Sequence, residues 1–226
     1  MSVTDSPARE TAAGWEQGYK HHRDGALWGE EPICLIPYAL KELAARNISS
    51  TVDLGCGDGR NLVPLCESGL ECCGVDISET ALSRAGHRLR ARGQTARLFK
   101  ADLQNLPFPA RSVESLVCFD VFGQLPDAAA TIKEFERVLK PGGFLFLNVY
   151  TTGDGTFGDG EQMGARSFIY KNTLFHYYEE DDIRKLFSGW NIEALDLLRW
   201  SDPPHGEFRP YEHEHESWIV KLSTKE

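Results

Sequence analysis

A strand-like segment runs straight into three alternating glycines in Val52-Asp53-Leu54-Gly55-Cys56-Gly57-Asp58-Gly59. Glycine has no Cβ, so the backbone takes positive φ there and lets a ligand approach closely. A helix opening directly after such a turn offers free N–H groups and a partial positive charge. Strand, glycine turn and helix in that order call for an α/β unit. The spacing narrows the ligand. Gly55-x-Gly57-x-Gly59 is not the G-x-G-x-x-G run of dinucleotide folds, because its third glycine comes one residue early. In addition, an acid, Asp53, stands two positions before the first glycine.

Strand-like and helix-like segments alternate on both sides of this turn. An N-terminal helix is expected over Ile33–Leu43, with Pro32 in its first turn. Strands are expected at Thr51–Leu54, Leu70–Val75, Thr95–Lys100, Val113–Phe119 and Phe144–Tyr150. The helices between them are Leu62–Ser68, Ser78–Arg92 and Ala128–Leu139, the last stopped by Pro141-Gly142-Gly143. The alternation predicts a parallel sheet with right-handed crossovers. After Tyr150 the pattern changes. Thr151–Arg166, rich in Gly and Asp, reads as a loop and Glu179–Phe187 as a helix. Ile192–Trp200 and Ser217–Leu222 read as two closing strands around an insert that holds His205, His213 and His215. The polar opening, residues 1–14, is expected to be frayed. No repeat divides the chain, so a single domain over 1–226 is the expectation.

With 34 acidic and 24 basic residues the formal charge is −10, which argues against a duplex nucleic-acid partner. No apolar run is long enough to span a bilayer, and the opening lacks the charged and apolar regions of a signal peptide. The six cysteines lie mostly in apolar segments and form no C-x-x-C pair, so they read as buried thiols of a reducing compartment. The expected address is cytoplasmic, with no membrane partner.

Ligands of open α/β sheets bind beyond the carboxyl ends of the strands. Three such ends carry an acid: Asp53 at the turn, Asp76 after the second strand and Asp102 after the third. A carboxylate at the second position takes ribose hydroxyls. One at the third is placed to accept from the adenine amine, with Ile77 and Leu103 on either face of the ring. The ligand suggested is an adenosine without a pyrophosphate.

Five segments, in order, carry a resemblance over about residues 50–150. They are the glycine turn, Gly74-Val75-Asp76-Ile77-Ser78, Ala101-Asp102-Leu103, Leu106-Pro107-Phe108 and Arg137-Val138-Leu139-Lys140-Pro141-Gly142-Gly143. Together they resemble the class I S-adenosylmethionine-dependent methyltransferases. The resemblance implies a Rossmann-like, doubly wound α/β fold: seven mostly parallel strands in the order 3-2-1-4-5-7-6, the last antiparallel, with helices on both faces. It implies S-adenosylmethionine as co-substrate, with Gly55, Cys56 and Gly57 around its methionine and ribose, Asp76 on the ribose, Asp102 and Leu103 on the adenine, and Phe119 near the methionine. Asp53 and Ile77 complete the expected cofactor set. Many members carry histidine after the fourth strand, where this chain has Gly123-Gln124. The stretch Trp15 to Pro32 resembles the entry helix of small-molecule methyltransferases of the thiopurine and tellurite-resistance types. Residues 1–32 are accordingly expected to form a lid, 50–150 the cofactor-binding core, and 151–226 the substrate-side loops and closing strands.

The expected activity is in-line transfer of a methyl group to a small-molecule acceptor. Open alternatives are an RNA or protein acceptor, a cofactor-binding protein without catalysis, and a nicotinamide-dependent oxidoreductase. A thiolate acceptor needs no base, whereas a hydroxyl usually does. Candidates near the methyl are Gln124, Asp120, His176 and His205, and aromatic walls are expected from Tyr19, Trp28, Phe122 and Tyr178. His213 joins the substrate-side set, since alternation in a strand puts it on one face with His215. His-x-His is compatible with a metal, but no third-ligand spacing supports one, so no metal is assigned. The oligomeric state is left unassigned.

Overall fold

The structure, a computed structural model, describes residues 7–21, 27–204 and 209–225, with side chains from residue 12 onward. In chain order the first half comprises α1 (Pro7–His21), α2 (Ile36–Ala45), β1 (Ser50–Leu54), α3 (Leu62–Glu67), β2 (Glu71–Asp76), α4 (Glu79–Ala91), β3 (Arg97–Lys100) and β4 (Val113–Cys118). Then follow α5 (Ala128–Val138), β5 (Leu139–Tyr150), β6 (Glu161–Gly164), β7 (Ser167–Tyr170), β8 (Thr173–His176), α6 (Glu180–Leu186), β9 (Asn191–Asp202) and β10 (His213–Ser223).

The main sheet has seven strands in the order β3-β2-β1-β4-β5-β10-β9. Counted among these seven, that is 3-2-1-4-5-7-6. The first five pair in parallel, and β10 runs antiparallel to both its neighbours. Burial on both faces explains the apolar end of β4, from Leu116 onward. Leu116 and Cys118 face the core under α5 and α6, while Val117 and the following Phe119 face the core under α2, α3 and α4. Ser78 caps α4 by accepting from the Ala81 N–H at 3.1 Å, and Asp127 caps α5 by accepting from Ala130 at 2.9 Å.

Several boundaries differ from the sequence reading. The polar opening is helical from Pro7. Pro37 sits in the first turn of α2, and Pro32 lies ahead of the helix. Strand β5 starts at Leu139, and a register shift against β4 absorbs the Pro-Gly-Gly segment. The segment after Tyr150 holds a second, three-stranded sheet, β6-β7-β8. Its strands are four residues each and hold two hairpins together, too short to register as periodic runs. Among the described residues no helix is long and apolar enough to cross a membrane, and all six cysteines are free thiols.

Candidate functional site

One cavity of about 1230 Å³, partly open to solvent, lies along the carboxyl ends of β1 to β4 and extends to β9 and β10. Its floor is the glycine turn. Gly55, Gly57 and Gly59 have φ of 68°, 54° and 87°, all in the left-handed region. A Cβ at Gly55 would run into Val121, and one at Gly57 into the Tyr19 hydroxyl. A Cβ at Gly59 would stand 3.1 Å from the Ala85 backbone, so the third glycine lets α4 pack against the turn. The N–H groups of Gly55 and Cys56 donate to the Val75 carbonyl at 2.8 and 3.0 Å, pinning the turn to β2.

Asp76 ends β2 at the cavity wall, 8% exposed. Its carboxylate accepts from the Gly57 N–H and the Ser78 N–H, each at 2.8 Å. Burial pushes its pKa up to about 6, against the pull of these backbone N–H groups. Asp102, half-buried, accepts from the Gln104 N–H at 2.9 Å, and Ile77, Ala101 and Leu103 line the cavity beside it. Cys56, Gly57 and Phe119 are also cavity residues. Asp53 is placed differently. It is 2% exposed beneath the turn, off the cavity wall, and its Oδ2 finds no hydrogen-bond partner among the described residues. Burial, reinforced by Asp76, pushes it up to about 8, so it is largely protonated at neutral pH.

The N-terminal segment closes one side. Trp15, Tyr19 and Trp28 line the cavity and pack together, with Trp15 and Trp28 ring centroids 5.7 Å apart. Glu16 accepts from the hydroxyls of Ser78 and Thr80 at 2.7 Å each. Burial works to raise its pKa, but these hydrogen bonds prevail and hold it at about 2. Two arginines of α4 and one of the turn do part of this anchoring. Arg84 donates to the Tyr19 carbonyl at 2.7 Å and Arg88 to the Glu30 carbonyl at 3.2 Å, while Arg60 of the turn reaches the Trp28 carbonyl at 2.7 Å. Residues 1–6 and 22–26 of the expected lid lie outside the described residues.

Beyond β4 the wall is built by residues the sequence reading weighed lightly or missed. Asp120 has φ of 57°, a left-handed conformation that a non-glycine residue adopts at some cost. It accepts from Asn148 at 2.9 Å, from the Tyr150 hydroxyl at 3.0 Å and from Arg60 at 3.3 Å. These donors hold its carboxylate in place on the cavity wall. Burial, then the Asp120 charge, pushes the Tyr150 phenol well above its ordinary value and keeps it neutral. Gln124 lines the cavity, but its side-chain amide donates to the Asp120 carbonyl at 2.8 Å.

Three expected residues stand elsewhere. Phe122 and Tyr178 pack in the core with Phe187 and do not line the cavity. Their aromatic character in a loop suited a wall equally well, and only packing separates the two. His176 bonds Ser167 Oγ at 2.6 Å and borders a small neighbouring pocket. His205 lies outside the described residues.

His213 and His215 line the cavity, not from a loop but from the start of β10. In the β9–β10 pairing His213 stands opposite Asp202, and His215 follows on the same face. His215 Nδ1 meets Asp154 Oδ2 at 2.9 Å, and its ring stacks on Tyr150 at 4.7 Å and 11°. His213 Nδ1 meets the Tyr211 carbonyl at 3.0 Å. Asp202, His213 and His215 each bring one ligand atom within 4.8 Å of the others. The third ligand absent from the sequence spacing comes from the facing strand, and strand pairing alone could have disclosed it.

Residues 52–147 match the family model described as a methyltransferase domain. YqeM of Bacillus subtilis, named as a candidate methyltransferase, is 29% identical over 160 residues, 64% of this chain and 62% of that protein. A demethylmenaquinone methyltransferase of Staphylococcus saprophyticus is 32% identical over 109 residues, 47% of this chain and 46% of its own length. The chain thus spans less than two thirds of the length of these curated relatives. Among solved structures, 1,6-didemethyltoxoflavin-N1-methyltransferase of Burkholderia thailandensis superposes with a TM-score of 0.69 at 15% identity, covering 100% of this chain and 93% of that one, and shares the fold.

Proposed function

Through its core of residues 52–147 this chain belongs to the class I S-adenosylmethionine-dependent methyltransferases, and we propose that it methylates a small molecule held in the cavity. The observation that carries this reading is the continuity of one cavity from the glycine turn and Asp76 to the wall of Tyr150, His213 and His215. Its lining joins the glycine turn, Asp76 and Asp102 to the aromatic and histidine wall without a break, so one opening can serve a nucleoside and a second compound. The residues present fit the cofactor. A Cβ at Gly55 or Gly57 would fill the cradle, and Asp76 aims a buried carboxylate where ribose hydroxyls can donate. Asp102, with Ile77 and Leu103 beside it, would take the adenine.

S-adenosylmethionine, when bound, supplies a methyl group on a sulfonium, a good leaving group for in-line displacement. This chain's residues have the remaining tasks. The N-terminal segment, latched by Glu16 and the three arginines, covers the cavity and excludes water. Trp15, Trp28, Tyr150 and Phe175 offer aromatic surface to a flat acceptor and to a positive charge. The relatives' printed acceptors, demethylmenaquinone and a didemethyltoxoflavin, both contain a flat ring system. An RNA or protein acceptor would call for a basic approach, against which the charge of −10 weighs.

Calorimetry should register S-adenosylhomocysteine binding that Asp76→Ala abolishes, together with S-adenosylhomocysteine release over a panel of phenols, thiols, amines and carboxylates. Tight NAD binding in its place, or turnover confined to RNA, overturns the reading.

A further inference from the structure

We propose that Asp202, His213 and His215 form a binding site for one divalent transition-metal ion of the zinc type, opening onto the acceptor half of the cavity. The three residues come from two adjacent strands, with His213 directly opposite Asp202 and His215 next on the same face. Their ligand atoms lie within 4.8 Å of one another. Ligands bound at about 2.1 Å around a tetrahedral ion sit about 3.4 Å apart, so small side-chain rotations close the set. His215 Nε2 and Asp202 Oδ2 are 3.8 Å apart, too long for a hydrogen bond and suited to two ligands sharing an ion.

The surroundings orient both rings for this task. His215 Nδ1 faces Asp154 Oδ2, and His213 Nδ1 faces the Tyr211 carbonyl. Each acceptor fixes the proton on Nδ1 and makes Nε2 the lone-pair nitrogen. Asp154 is itself held. Its side chain is fully buried, and it accepts from the Thr156 N–H at 2.9 Å, the Thr156 hydroxyl at 2.5 Å and the Glu216 N–H at 2.9 Å. A carboxylate behind a histidine ring is the usual support of a metal-binding imidazole. Stacking on Tyr150 fixes the His215 ring plane. Two imidazoles and one carboxylate suit zinc, iron(II) or cobalt better than magnesium or calcium, which prefer all-oxygen sets.

Three protein ligands leave a coordination position open to the cavity, which all three residues line. Ion binding does not depend on methyl transfer; the use of the ion rests on that reading. A phenol or thiol bound there loses its proton to solvent, because the ion stabilises the anion. The heteroatom lone pair then forms the bond to the methyl carbon. The carbon–sulfur bond breaks with its electrons returning to sulfur, which becomes a neutral thioether.

Cobalt(II) added to the full chain after chelator treatment, followed by visible absorption, tests the site. One ion per chain is expected, weakened about tenfold or more in His213→Gln, His215→Gln, Asp202→Asn and Asp154→Asn. S-adenosylhomocysteine affinity in the same variants should stay unchanged, confirming an intact fold. In the unmutated chain, paramagnetic shifts should fall on the His213 and His215 rings, which decides the matter even if a variant fails to fold. The site is refuted by an unmutated chain that binds S-adenosylhomocysteine but no cobalt, by undiminished cobalt binding in the double histidine variant, or by thiolate charge-transfer bands. Cobalt binding without turnover of any acceptor would leave the site standing and sink the methyl-transfer reading.

Discussion

The two halves of the cavity are built on opposite plans. The half proposed for the cofactor is made by chain neighbours: three glycines within five residues set its floor, and Asp76 and Asp102 each stand at a strand end a short crossover later. The half proposed for the acceptor is assembled from Asp120, Tyr150, Asp154, Asp202, His213 and His215, drawn from the segment after β4, from β5, the following loop and the two closing strands. A cofactor common to a family selects for backbone conformation, which short motifs encode. An acceptor selects for side chains that only sheet pairing brings together. The cofactor half should therefore fail through single residues, and the acceptor half through loss of a network.

The largest expected effect is at Asp76. Replacing it with Ala removes two charged acceptors for hydroxyls and strands the Gly57 and Ser78 N–H groups, costing at least about a hundredfold in S-adenosylhomocysteine affinity. In the unmutated chain the same affinity should fall as pH drops through about 6, where Asp76 takes up its proton. Flat affinity between pH 5 and 8 would break the assignment. Next is Gly59→Ala, which combines a φ of 87° with a Cβ 3.1 Å from the Ala85 backbone. About 2 kcal/mol of stability should be lost in urea unfolding; an unchanged midpoint would mean the turn relaxes freely.

Asp53 gives a smaller effect of opposite sign. Its folded pKa, about 8, lies above the ordinary aspartate value, so the native state keeps a proton that the unfolded chain releases. Its contribution to stability is full at low pH and disappears as pH rises through about 8. Asp53→Asn keeps the shape without the titration, so it should gain on the parent from pH 5 to 9 by on the order of 1 kcal/mol or more. A difference in melting temperature that stays constant with pH would contradict this. Smallest is Glu16→Gln, which weakens the latch to Ser78 and Thr80. Stopped-flow release of S-adenosylhomocysteine should quicken by roughly three- to tenfold, as expected from losing the charge of one hydrogen-bonded carboxylate. An unaltered rate would remove the lid role from α1.

Much of this molecule was legible before its fold was known. Pattern and turn residues located every strand of the main sheet, though only some, such as the end of β4 and most of β5, are buried apolar runs. It missed the second sheet, whose four-residue strands are shorter than any period can reveal. Asp76 and Asp102 could be placed at the cavity because strand ends are one-dimensional landmarks. Phe122 and Tyr178 could not be told from wall residues, because loop aromatics bury in either direction. The anchoring by Arg84 and Arg88 of α4 was not legible locally, because their partners, the carbonyls of Tyr19 and Glu30, come from a distant segment.

The sequence by itself determined the glycine cradle and the acids beside it, because each follows from backbone conformation and local hydrophobic period, while the strand order came only with the family resemblance. Only the tertiary structure decided that Asp53 sits beneath the turn without a hydrogen-bond partner for Oδ2, and that Asp120 is tied down by Arg60, Asn148 and Tyr150. It alone set Asp202 opposite His213. Burial and cross-strand pairing are properties of the closed sheet, and no local stretch of chain carries them.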